Sequence, residues 1–102
     1  MLAKELYQRT QSNSTPVVVD VRSEDEFRRG HIPGAINASV GGILLNRTQL
    51  PADRSRELVI TCERGGRARM AQLLLGFYGY RNTSLLEGHM EEWTKAGLPL
   101  YP

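Results

Sequence analysis

Among residues able to do chemistry, the most suggestive group lies in VITCERGGRARM, residues 59–70. Cys62 is the only cysteine of the chain, and Gly65, Gly66, Arg64, Arg67 and Arg69 come after it within seven positions. A thiol is a weak nucleophile until it ionises, and a free one has a pKa of about 8.5. The residues after Cys62 favour the anion. Glycines at 65 and 66 allow backbone φ values that let loop amides converge on one point. A helix starting near Arg67 would aim its positive end at the same point. The arginines add charge, and such a concave cationic loop also suits a small oxyanion. The bland reading is a buried cysteine acting as a small hydrophobe beside a turn and solvated arginines. A purely structural cysteine, however, gains nothing from a glycine pair and clustered charge.

The elements that position this loop can be read from the apolar pattern. PVVVDV (16–21) and ELVITC (57–62) are continuous β-branched runs, as expected of strands buried on both faces. NTSLLEG (82–88) gives another strand, and HIPGAINAS (31–39) a turn and a short one. Helices are expected around Leu2, Leu6 and Tyr7, over EDEFRRG (24–30), over RARMAQLLLGFYGY (67–80) and over HMEEWTKAG (89–97). Ser23 and Glu26 have the spacing of a capping box. VGGILLNRTQLP (40–51) is a weakly marked helix or loop. In the helix after Cys62, the expected buried face is Met70, Leu73, Leu74 and Phe77. Strands alternating with helices indicate an α/β domain with a central, mostly parallel sheet flanked by α-helices. Ligands of such sheets sit beyond the carboxyl ends of the strands, where Cys62 falls.

The totals narrow the classes. With 102 residues, 40% hydrophobic and 24% charged, the chain is expected to form one globular domain. A single cysteine excludes an internal disulfide, and His31 and His89 lie too far apart in sequence to suggest a Cys/His zinc site. Neither metal nor cofactor is expected. Thirteen basic against eleven acidic residues, net +2, form no stripe for nucleic acid. No apolar run spans a membrane, and MLAKELYQRTQ lacks the apolar core of a signal peptide, so a cytoplasmic monomer is expected.

Cys62-Glu63-Arg64-Gly65-Gly66-Arg67-Ala68 resembles the active-site loop of rhodanese (thiosulfate sulfurtransferase) domains: Cys, two variable residues, Gly, one variable, Arg, then Ser or Ala. VVVDVRSEDEFRRGHIPGAINAS (17–39) is similar to the family's amino-terminal motif, and LLEGHMEEWTKAGLPL (85–100) to its carboxyl-terminal one. The resemblance covers roughly residues 3–100 of a single rhodanese-like domain over 1–102. One departure is visible: Gly88-His89 stands where the family usually carries Gly-Gly. The resemblance implies that His89 lies near the loop, where it would narrow the pocket or contact substrate and bear on acceptor preference.

The resemblance implies double-displacement sulfur transfer. Cys62 would take the outer sulfur of a donor such as thiosulfate, hold it as a persulfide, and pass it to cyanide or a thiol, a thioredoxin-like protein among the acceptors. Glu63, Arg64, Gly65, Gly66 and Arg67 would form the substrate-binding loop. Arg67 would stabilise the loop or its anion, Arg64 would favour anionic donors, and the Glu63 carboxylate would point outward. Glu87 is a candidate pocket residue. Asp20 and Arg22 read as an internal ion-pair network, His31 as a hydrogen-bonded turn residue, and Trp93 as core. Two rival readings stand beside this one. Cysteine-dependent phosphatases and arsenate reductases use a similar cradle, but their loop is one residue longer between Cys and Arg. A non-catalytic interaction module is the other rival, against which the retained Cys62 argues.

Overall fold

The computed structural model describes residues 1–46 and 49–102. In chain order the elements are α1 (Ala3–Thr10), β1 (Val17–Asp20), α2 (Glu24–Arg29), β2 (Ile36–Asn37), α3 (Val40–Leu44), β3 (Leu58–Thr61), α4 (Gly66–Phe77), β4 (Thr83–Leu85) and α5 (His89–Lys95). The described strands form one sheet in the order β2-β1-β3-β4, and every pairing is parallel. The two unbroken β-branched runs take the central places, because only there are both faces covered. Their alternate residues serve two separate cores. Val19, Leu58 and Ile60 meet Ile43 of α3 and Ala68, Ala71 and Leu75 of α4. Val18 and Val59 meet Leu6 of α1 and Met90 and Trp93 of α5.

Each helix boundary has a local cause. Ser23 accepts from the Glu26 amide while the Glu26 carboxylate accepts from the Ser23 amide, the reciprocal cap expected from the spacing. Gly30 ends α2, and Ser39 caps the short α3 through the Gly42 amide. The rest of the weakly marked segment is irregular where described, and positions 47–48 lie outside the described residues.

Two expectations need correction. The buried face of α4 is Ala68, Ala71 and Leu75, with Leu74 half-buried beside it. Met70, Leu73 and Phe77 face outward, the last two 73% and 89% exposed. The alanines have little bulk, so the helix lies close against the sheet, and a stripe of larger side chains could not approach as near. Leu2 likewise precedes α1 and is exposed, leaving Leu6 as that helix's buried anchor.

The expected ion pair is present and deeply placed. Asp20 and Arg22 are buried together at the end of β1. The Asp20 carboxylate accepts from Arg22 Nε and Nη2 at 2.7–3.1 Å and from the Arg22 amide at 3.1 Å. Arg22 Nη2 also donates to the Gly30 carbonyl. His31 is a turn residue as read: Nδ1 lies 2.8 Å from the Phe27 carbonyl and the ring stacks on Phe27. Trp93 is core, and its indole N–H donates to the Pro99 carbonyl.

Candidate active site

β3 delivers Cys62 to the carboxyl edge of the sheet, between the amino-terminal ends of α4 and α5. The residue is 1% exposed. Its backbone is held on both sides by the start of α5: the Cys62 amide donates to His89 Nδ1 at 3.3 Å, and the Cys62 carbonyl accepts from the Met90 amide at 3.0 Å. The next carbonyl, Glu63, accepts from the Glu91 amide at 3.1 Å. The chain then turns through Gly65, whose φ of +123° only glycine adopts without strain. This turn brings the Gly65 amide to 2.9 Å from Cys62 Sγ, a donor aimed at sulfur. A Cβ on Gly65 would also lie 3.0 Å from His89 Nε2, so glycine serves here both conformation and space.

Above this turn is an open pocket of about 550 Å³, with walls that include Gly65, Gly66, Arg64, Arg69, Glu87 and His89. The arginines divide their work. Arg64 is 81% exposed at the pocket wall, with Nε 3.7 Å from Glu91. Arg69 lines the same wall, so the charge that the sequence left unassigned belongs to these two. Arg67 turns away to α2, where it makes a paired contact with the Glu26 carboxylate at 2.5 and 2.9 Å. That guanidinium, with help from the Ser23 cap, holds the Glu26 carboxyl down from an ordinary 4.5 to about 2. The Arg67 pKa is raised in return, chiefly by the same bond. Of the two roles foreseen for Arg67, the geometry matches bracing of the loop. Glu63 points outward as expected, 3.5 Å from Arg22, and Glu87 is on the pocket wall.

Three features were read only in part from the sequence. Glu26 looked like a cap alone, yet it also ties α2 to the first turn of α4. Arg69 was one of three arginines with no signal to rank it. His89 was expected near the loop, narrowing the pocket or contacting substrate, but its bond to the Cys62 amide joins residues 27 apart and had no local signal.

Among the described residues, no group of three or more His, Cys, Asp or Glu could hold a metal ion. No described helix is long and apolar enough to cross a membrane.

Comparison with known proteins fits this geometry. Residues 2–96 match the model of the rhodanese-like domain family. A sulfurtransferase of Allochromatium vinosum is 31% identical over 98 residues, covering 96% of this chain and 90% of its own. A thiosulfate:glutathione sulfurtransferase of Saccharomyces cerevisiae is 33% identical over 92 residues, covering 79% of this chain and 66% of its own. The structure of the human single-domain sulfurtransferase TSTD1 superposes with a TM-score of 0.80 at 28% identity, covering 93% of this chain and 94% of that one. With a lone cysteine at the end of a parallel strand, a glycine turn closing on its sulfur, and a match to the family model over residues 2–96, this chain belongs to the rhodanese-like domain family.

Proposed function

We propose that this protein moves a sulfane sulfur from an anionic donor, thiosulfate or a close analogue, to a thiol or cyanide through a persulfide on Cys62. The observation carrying this reading is the Gly65 amide 2.9 Å from Sγ, with Gly65 itself on the wall of an arginine-lined pocket. A fixed N–H dipole in a sheltered site stabilises an anionic sulfur without needing to reorganise. The thiolate attacks the outer sulfur of thiosulfate. A bond forms between Sγ and that sulfur, the bond to the sulfonate sulfur breaks, and its electron pair leaves with sulfite. Charge balances, since a thiolate monoanion and a thiosulfate dianion give a persulfide anion and a sulfite dianion. No base is needed once the thiolate exists. Arg64 and Arg69 draw the dianion into the pocket. An acceptor thiolate or cyanide then takes the outer sulfur by the reverse type of displacement and restores Cys62.

Glutathione is a reasonable acceptor, given the name of the yeast relative, and a thioredoxin-like protein is a second. The protein acts as a monomer without nucleic acid or membrane, in a reducing cytoplasm that keeps the lone cysteine a thiol. Intact-mass spectrometry after incubation with thiosulfate tests the reading. The wild-type chain gains one sulfur atom, reversed by cyanide, and Cys62→Ser gains none. A wild-type chain that stays unmodified across thiosulfate, polysulfide and glutathione persulfide would rule the reaction out.

A further inference from the structure

His89 occupies the floor of the pocket in a way that fixes its chemistry. Its φ is +51°, a conformation rare for a side-chain-bearing residue, and the residue is 7% exposed. Nδ1 faces the Cys62 amide at 3.3 Å. An amide N–H can only donate, so Nδ1 is the acceptor and the proton of the neutral ring resides on Nε2. Thr61 Oγ1 lies 3.5 Å from the same Nδ1 but donates its one proton to the Cys62 carbonyl at 3.2 Å, so the Cys62 amide is the donor that Nδ1 accepts from. Burial, and after it the charge of Arg69, push the His89 pKa below the usual histidine value. Protonating Nδ1 would also break the bond to the Cys62 amide.

The outward nitrogen is the unusual one. Among the described residues Nε2 makes no hydrogen bond, while no buried side-chain nitrogen or oxygen lacks a partner. Nε2 is therefore open to the pocket that the ring lines, beside the Gly65 turn. The other titratable or charged groups around the ring are Arg64 and Arg69 from the loop and α4 and Glu87 just before α5, which share the pocket wall, and Cys62, whose amide bonds Nδ1. Its own helix adds Glu91 and Glu92, and Glu91 is already engaged by Arg64 and Lys95.

We infer that His89 is a fixed hydrogen-bond donor, through Nε2–H, to the oxyanion end of the sulfur donor. This rests on the reaction proposed above and adds the residue that selects among donors. The proton stays on Nε2 throughout. As the S–S bond breaks, negative charge collects on the sulfite oxygens, and the Nε2–H contact strengthens just then, which lowers the barrier rather than merely tightening binding. A donor without oxygen gains nothing from it. His89 is thus a specificity residue for thio-oxyanions over polysulfides, and not a general base.

The test is His89→Asn. Asn tolerates positive φ, and its Oδ1 falls where Nδ1 accepts the Cys62 amide, but it has no donor reaching the pocket. kcat/KM with thiosulfate should fall at least about tenfold, the scale of a hydrogen bond to a charged group. With inorganic polysulfide it should stay within about twofold, an oxygen-free donor having no such bond to lose. His89→Gln, whose amide nitrogen reaches about as far as Nε2, should recover part of the thiosulfate rate. Equal losses with both donors, or none with thiosulfate, would overturn the assignment. Nitrogen-15 NMR of the wild type gives a readout free of turnover. The His89 ring should show the Nε2–H tautomer, with its proton resonance shifting on addition of sulfite. A proton on Nδ1, or no shift, would overturn the assignment even if the sulfur-transfer reaction holds; a sulfite shift in a protein that takes up no sulfur would overturn the reaction, and with it the donor selection, leaving only an oxyanion contact at His89.

Discussion

Glu26→Gln isolates what the Arg67 contact does for the loop. Gln at this position still serves the Ser23 cap, so the substitution removes charge and leaves α2 otherwise intact. Taken at face value, a carboxyl lowered from 4.5 to about 2 corresponds to roughly 3 kcal/mol. Solvent screens this pair, since the Arg67 side chain is 43% and that of Glu26 28% exposed. The paired geometry keeps the contribution at the upper end for surface contacts, about 1 kcal/mol. The carboxyl is depressed in the folded state, so the contribution is complete above pH 4.5 and disappears as pH falls through about 2. Urea melts of wild type and Glu26→Gln should differ by that amount at pH 7 and converge toward pH 2. Transfer of sulfur should fall by about the fivefold that 1 kcal/mol represents if the loop loosens in proportion. Arg67→Ala should match Glu26→Gln in both readouts, and the double variant should add nothing further. If Arg67→Ala costs far more activity than Glu26→Gln, Arg67 touches the anion directly, and the bracing role is wrong.

Asp20→Ala strands the buried Arg22 without its carboxylate and should destabilise by about 3–5 kcal/mol in chemical denaturation. Leu75→Ala should cost about 2–5 kcal/mol, while Leu73→Ala on the outer face of α4 should stay within about 0.5 kcal/mol; similar melts for the two would restore the face expected from the sequence. Arg64→Ala should raise the KM for thiosulfate and leave kcat alone, as for a charge that attracts substrate without entering the transition state. An unchanged KM would mark Arg64 as solvated surface.

Local patterns were readable in the chain, and contacts between distant segments were not. PVVVDV and ELVITC announced central strands because covered strands need no polar alternation, and Ser23 with Glu26 announced a cap because its bonds span three residues. The loop that closes on the lone cysteine was legible from Cys62, Gly65 and Gly66 together. In α4 the apolar residues 70, 73, 74, 75 and 77 offer more than one stripe, and size favoured the wrong one. Alanines 68 and 71 decide the matter through close approach, which periodicity weighs lightly. Arg67 finds Glu26 across 41 positions, and nothing near either residue names the other.

The carbonyls of Cys62 and Glu63 do for α5 what a cap side chain does elsewhere, accepting from the Met90 and Glu91 amides that a helix start leaves unpaired. Fraying of that helix and opening of the reactive loop are consequently a single event. Deuterium uptake at positions 90 and 91 therefore clocks how often the sulfur is laid bare, and any change that loosens Trp93 in its seat should quicken that clock from the far side of the sheet.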